Sequence, residues 1–372
     1  MRKQITFIVG TLITIATITL LAQPANAQPT YQEELISHGS YIANIAGCTF
    51  CHTPNKVEFQ DLKNLTLEQN QIIAFRENEA IDTEKFMAGG RFFDLTPAGA
   101  VFSRNLTPDE ETGIGTWTNE QIRLAVKTGI NANGEILFPV MPYHVYNGMA
   151  DSDLEAVITF LRSINAIKNT PPEDTVSKDG LTVLPYPGEI IAPNPSDRAA
   201  RGKYLVENIT GCTDCHTPVN PSTGEPMMEQ YLAGRQPYEG PWGIVYGGNI
   251  TPDTETGIGD WTEEEIKRAL LTGVNKNGRR LILMPWYAYA NLTTEDADAI
   301  AYYLKHELPA VYNEIPSPSL NEGFEITDPV VSATQTNTSP ASIPPYLFGV
   351  IGLLLVMGSY IFSRKSTQNT KN

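Results

Sequence analysis

The cysteines of this chain sit in two pairs, Cys48-Thr49-Phe50-Cys51 and Cys212-Thr213-Asp214-Cys215, and a histidine follows each at once, His52 and His216. One helical turn sets two thiols on the same side of the chain, and the next residue brings an imidazole alongside. This Cys-x-x-Cys-His spacing is the attachment signature for a covalent c-type haem, with thioethers to the two vinyl groups and the histidine under the iron. A thioredoxin-like thiol pair or half of a zinc site accounts for the cysteines but not for the histidine after both of them. Four cysteines in 372 residues are also too sparse for a disulfide-stapled scaffold.

The two motifs belong to a longer internal repeat, which is the first thing to seek in a chain of this length. Gly39 to Ser163 returns as Gly202 to His306: AGCTFCHTP matches TGCTDCHTP, NLTPDEETGIGTWT matches NITPDTETGIGDWT, and AVKTGINANG matches ALLTGVNKNG. The final block, from MPYHVY to FLRS, matches MPWYAY to YLKH. Of eight methionines, only Met141 and Met284 occupy matching positions, each directly before a proline; Met87 faces Leu232 and Met149 faces Leu292, as exchangeable core residues do. A proline fixes the local chain, which suits a loop holding a weak thioether ligand, so Met141 and Met284 are the expected sixth ligands. His144 is a rival, but it faces Tyr287 in the second copy, and His38 and His306 are likewise unmatched. Asn105 with Trp117, and Asn249 with Trp261, are candidate haem-propionate contacts, with core packing the competing reading for the rings.

Helices must position these groups. Leu35, Gly39, Ile42 and Ala46 share one helical face before the first motif, as Gly202, Leu205 and Ile209 do before the second. Each glycine would let another helix approach closely. The expected partners are the terminal helices carrying Leu154, Ile158 and Leu161 in the first copy and Ala297, Ala301 and Leu304 in the second. Thr118 with Gln121, and Thr262 with Glu265, have capping-box spacing, so a middle helix is predicted to start after each tryptophan. The first copy also carries extra residues, including Leu67 to Phe86, between its cysteines and Asn105; they are a candidate partner-docking surface or an inert insertion.

Apolar residues at 41% and charged residues at 18% are ordinary globular usage, and a length of 372 residues suits two domains with chain left over. Lys plus Arg total 26 against 42 Asp plus Glu, a formal charge of −16, which excludes the electrostatic footprint of a nucleic-acid binder. The bases near the termini come without acids, so the body between them is more acidic still. Arg2 and Lys3 precede an uncharged apolar run that closes on Ala25-Asn26-Ala27, which reads as an export signal over 1–27. Tyr346 to Phe362 is a second uncharged run, followed by Arg364 and Lys365; it is predicted to be a transmembrane anchor over 346–363, with 364–372 as a cytoplasmic tail. Between them the expected order is domain A (28–170), a Pro-rich linker (171–195), domain B (196–312) and a flexible tether (313–345).

With these motifs in place, the chain resembles class I c-type cytochromes, small all-α domains around one haem, here as two in tandem. The TPDxxTGIGxWT block, the MPYxxY loop and the helix after it resemble more closely the cytochrome c subunits of membrane-associated alcohol and aldehyde dehydrogenase complexes. Many of those have three haem domains where this chain has two. The resemblance implies two covalent haem c groups, held by Cys48, Cys51, His52 and Met141 and by Cys212, Cys215, His216 and Met284. It also implies an electron-transfer protein rather than a catalytic one, on the periplasmic side of a bacterial cytoplasmic membrane, with a dehydrogenase as donor and a cytochrome or terminal oxidase as acceptor. The alternative is a dihaem redox enzyme, a peroxidase or a thiosulfate dehydrogenase-like protein. A peroxidase needs an iron that opens, which two equivalent methionines do not provide.

Overall fold

A computed structural model describes residues 29–326 apart from 61–64, 96 and 223. The expected signal (1–27), membrane anchor (346–363) and tail (364–372) lie outside the described residues. Among the described residues no helix is long and apolar enough to cross a membrane. The first copy comprises α1 (Tyr31–Ile45), α2 (Cys48–Cys51), α3 (Leu67–Phe75), the strands β1 (Phe92–Asp94) and β2 (Ala100–Phe102), α4 (Asn119–Thr128), α5 (Tyr143–Tyr146) and α6 (Asp151–Ser163). The second repeats the plan with α7 (Arg198–Asn208), α8 (Cys212–His216), β3 (Pro237–Gly240), β4 (Gly243–Tyr246), α9 (Glu263–Thr272), α10 (Trp286–Tyr289) and α11 (Thr294–Tyr302), which runs on into a π turn at Tyr303–Glu307. Helix α3 has no counterpart there.

The fold is helix-rich, as expected, but not purely α-helical. β1 and β2 form an antiparallel pair, Phe93 opposite Val101, and β3, β4 and β5 (Ser319–Leu320) form a second small sheet. These strands are short aromatic and β-branched stretches joined by Pro- and Gly-containing turns, too brief to give a clear alternating pattern in the sequence.

The helix starts follow local chemistry. Thr118 accepts from the Gln121 N–H while the Gln121 side chain accepts from the Thr118 N–H, and Thr262 with Glu265 makes the same reciprocal box, satisfying donors that a helix start leaves free. In each copy the first helix crosses the last at a glycine. A Cβ on Gly39 would lie 1.8 Å from the Ala156 carbonyl oxygen, and one on Gly202 would lie 2.0 Å from that of Ala299, so the two backbones touch where only hydrogen fits. Ile42, Leu154 and Ile158, and in the second copy Leu205, Ala297 and Ala301, are completely buried at these crossings.

One hydrophobic cluster runs through both copies, and a nearly symmetric polar seam joins them. Tyr41 donates to Asp296 Oδ2 at 2.5 Å, and its repeat mate Tyr204 donates to Asp153 Oδ2 at 2.6 Å. Each carboxylate is also held within its own copy, Asp153 by His38 Nε2 at 2.7 Å and Asp296 by Arg201 Nε and Nη2, both at 2.7 Å. His38 and Arg201 thus occupy equivalent places, and His306 pairs instead with Glu263.

Two expectations are corrected. Residues 313–326 are not the start of a free tether: the Asn313 amide donates to the Ala233 carbonyl, β5 pairs with β4, and the buried Phe324 ring stacks on Phe75 at 5.7 Å. Phe324 is the apolar anchor that a composition rich in Pro, Ser and Asn concealed. Nor does the segment 67–86, the candidate docking surface or inert insertion, stand free of the second copy on every side. Ile73, Ala74 and Phe75 are buried in a second cluster with Trp242, Val245 and Phe324 of the other copy.

Candidate functional site

Each Cys-x-x-Cys-His turn is launched by a left-handed glycine, Gly47 with φ +80 and Gly211 with φ +64. That conformation turns the chain sharply out of the preceding helix into α2 or α8 without a Cβ clash. No disulfide joins any of the four cysteines. Desolvation raises the Cys48 and Cys212 thiols, as expected of side chains directed into an apolar interior. No three or more His, Cys, Asp or Glu side chains come together as a bare-metal site among the described residues.

The histidines are oriented identically. His52 Nδ1 lies 2.7 Å from the Arg104 carbonyl, and His216 Nδ1 lies 2.7 Å from the Gly248 carbonyl. A carbonyl only accepts, so Nδ1 carries the proton and Nε2 presents its lone pair, the tautomer an iron ligand needs. Desolvation lowers the pKa of both rings, which favours the neutral, ligating form. Each histidine's own backbone is tied as well: Gly89 N–H donates to the His52 carbonyl and Gly234 N–H to that of His216.

Met141 and Met284 stand on matching loops. Tyr143 N–H returns to the Met141 carbonyl and Trp286 N–H to the Met284 carbonyl, both at 2.8 Å. These close inverse γ-turns around Pro142 (φ −80, ψ 55) and Pro285 (φ −78, ψ 51), for which the fixed proline φ is well suited. The short helix after each loop is tied back to the haem motif. Tyr146 O–H donates to the Ala46 carbonyl and Tyr289 O–H to the Thr210 carbonyl at 2.6 Å, two residues ahead of the first cysteine in each copy. The donor set of two thiols, one fixed imidazole and one thioether loop fits a c-type haem in each copy.

Asn105 and Asn249 have a different task. Asn105 Nδ2 donates to Thr112 Oγ1 and the Ile167 carbonyl while its Oδ1 accepts from Thr107, and Asn249 repeats this with Thr256, Val311 and Thr251. Both amide hydrogens are engaged in closing the Thr-Pro-Asp loop, which leaves none for a propionate. Trp117 and Trp261 pack at the edge of the core. His144, the rival ligand, meets Asp214 of the second motif at 2.9 Å across the seam. The equivalent contact in the other direction is an aromatic one, Phe50 of the first motif against Tyr287 at 4.5 Å. Each methionine loop therefore packs on the other copy's cysteine turn. Tyr146 with Tyr289 and Tyr41 with Tyr204 belong to no motif as single residues. Their match between the copies was the available signal.

No family model matches this chain. It is similar to the fructose dehydrogenase cytochrome subunit of Gluconobacter japonicus, 29% identical over 318 residues, which cover 79% of this chain and 57% of that one. It is 27% identical over 313 residues to the gluconate 2-dehydrogenase cytochrome c subunit of Pantoea cypripedii, covering 77% of this chain and 62% of the relative. A dihaem cytochrome c-type protein of Cereibacter sphaeroides is 28% identical over 235 residues, covering 58% and 74% of the two chains. This chain thus spans about 57% to 62% of the length of the first two relatives. Its relatives are cytochrome c subunits of dehydrogenases and a dihaem cytochrome c.

Proposed function

We propose that this chain, akin to the cytochrome subunits of dehydrogenases, carries electrons through two covalently attached haems. One observation carries the reading: in both copies a histidine with Nδ1 fixed on a backbone carbonyl follows the cysteine pair, and a proline-set inverse γ-turn presents a methionine. Cys48, Cys51, His52 and Met141 would hold the first group, and Cys212, Cys215, His216 and Met284 the second. When bound, such a group supplies one-electron redox chemistry, at a potential that His/Met ligation raises. The chain's own residues attach it, orient the imidazole and exclude water. Phe50 against Tyr287 and His144 against Asp214 bring the two attachment turns into one seam, which supports passage of electrons between them. The donor would be a dehydrogenase and the acceptor a cytochrome or oxidase, with the body on the exported side of a bacterial membrane and the run at 346–363 as its anchor. The ordinary composition and −16 charge suit a soluble redox face that meets another protein.

The test begins with haem content. Two covalent haems per chain are expected, falling to one in Cys48→Ala/Cys51→Ala and in Cys212→Ala/Cys215→Ala. The ferric protein should show the thioether-to-iron absorption band, reduced by about half in Met141→Ala and again by half in Met284→Ala. Rapid reaction of one reduced haem with peroxide in the unmodified protein would refute the carrier reading in favour of a dihaem enzyme.

A further inference from the structure

We infer that the segment peculiar to the first copy is an intramolecular strap whose end positions the methionine loop of the second copy, making Ala74, Phe75 and Glu77 positioning residues for Met284. This rests on the reading of Met284 as a ligand. The last carbonyls of any helix lack partners within it, and at the end of α3 two of them are taken by the other copy. Leu283 N–H donates to the Ala74 carbonyl at 3.1 Å, and Trp286 Nε1–H donates to the Phe75 carbonyl at 2.9 Å. These donors flank Met284 on both sides. Just past the helix, Glu77 Oε2 accepts from the Tyr287 hydroxyl at 3.2 Å.

The loop needs such a hold. Leu283 has φ +62, a left-handed conformation uncommon for a branched residue and kept only where the surroundings impose it. Val140, its mate in the first copy, is not left-handed. The strap itself is firmly seated. Phe75 stacks on Phe324 within a buried cluster that includes Trp242, and Glu77 is paired with the buried Arg91. The Arg91 guanidinium lies 3.8 Å over the Phe50 ring, inside the first cysteine pair. Trp286 and Tyr287, the residues that meet the strap, stand where the first copy has Tyr143 and His144, and neither of those can supply an indole N–H. The two sites are therefore built unequally, with the thioether of the second held by α3 and that of the first by its own loop.

The experiment uses the full-length holoprotein with Met141→Ala as background, so that the thioether band reports the second site alone. Trp286→Phe keeps a ring over Gly273 but deletes the donor to Phe75, and Glu77→Gln weakens the tie to Tyr287 and Arg91 at constant shape. Each should increase the fraction of second-site iron that binds carbon monoxide at a fixed subsaturating concentration by several-fold, up to about tenfold, the equivalent of one hydrogen bond. The band should weaken and the second potential should fall, with haem content unchanged. Glu68→Gln, at the exposed start of α3, should leave both sites unaltered. If neither Trp286→Phe nor Glu77→Gln changes carbon monoxide binding, the band or the potential, the strap is refuted. If Trp286→Phe does not fold, Glu77→Gln decides. If Met284→Ala leaves the band of this background intact, the ligand assignment fails instead.

Discussion

Replacing Gly39 by alanine tests the helix crossing on which the first site is built. The added Cβ would lie 1.8 Å from the Ala156 oxygen, 2.3 Å from its carbon and 2.9 Å from Phe160 Cβ. The first two are backbone atoms, so no rotamer change relieves the clash. To reach the 3.4 Å of ordinary contact, α1 and α6 would have to part by about 1.6 Å, when a gap of about 0.5–1 Å already forfeits a quarter to a half of each dispersion contact. Ile42, Leu154 and Ile158, all fully buried there, would lose part of their packing. Overpacking of this kind costs about 3 kcal/mol at its upper end, and the gain in helix propensity from Gly to Ala returns about 1 kcal/mol. The net loss of about 2 kcal/mol corresponds to a Tm lower by about 4–8 °C for a domain of this size. Thermal melts of the holoprotein by far-ultraviolet circular dichroism would measure it, with the exposed Ser37→Ala of the same helix as a control expected within about 0.5 kcal/mol of wild type. A Gly39→Ala protein that melts with or above wild type would refute the close crossing.

Two further outcomes follow from the seam and from a buried ion pair. Burial raises the Asp153 carboxyl, but hydrogen bonds from His38 and Tyr204 outweigh it and hold the pKa below the ordinary carboxylate range. A depressed carboxylate stabilises the fold fully above its unfolded pKa of about 3.9 and loses that contribution as pH falls through the folded value. Asp153→Asn should therefore cost about 2 kcal/mol near pH 7, and the gap in melting temperature should narrow progressively below about pH 4; a gap that stays constant to pH 3 would count against the charge. Lys127 is wholly buried, with Asp151 Oδ1 2.6 Å from its ammonium and the Tyr186 ring 5.7 Å away. Asp151→Asn strands that charge and should cost about 3 kcal/mol, more than Lys127→Met, which removes charge and donor together; urea unfolding midpoints in the reverse order would sink this account.

How much was legible beforehand depended on whether the information was local or repeated. Cys48, Cys51 and His52 are contiguous, so their spacing alone dictates which side of one helical turn they share. The glycine crossings and capping boxes are short-range patterns and could be read as such, and the match between copies singled out Met141 and Met284 among eight methionines. Asn105 and Asn249 were equally well matched, yet their partners are supplied by carbonyls about sixty residues away, as with Ile167, and spacing cannot assign such an acceptor. A match between copies marks a shared job without saying whether that job is structural or chemical.

The sequence by itself determined the Cys-x-x-Cys-His turns, the paired methionine loops and the helices that carry them, because each is specified by residues within a turn or two of one another. Only the tertiary structure decided what faces what. It set Tyr41 on Asp296 and Tyr204 on Asp153, laid Phe50 on Tyr287, and folded α3 and Phe324 against the second copy. Those contacts join segments up to 255 residues apart and arise from burying apolar surface and satisfying helix-end carbonyls, demands that many partners could have met and that only the packed chain resolves.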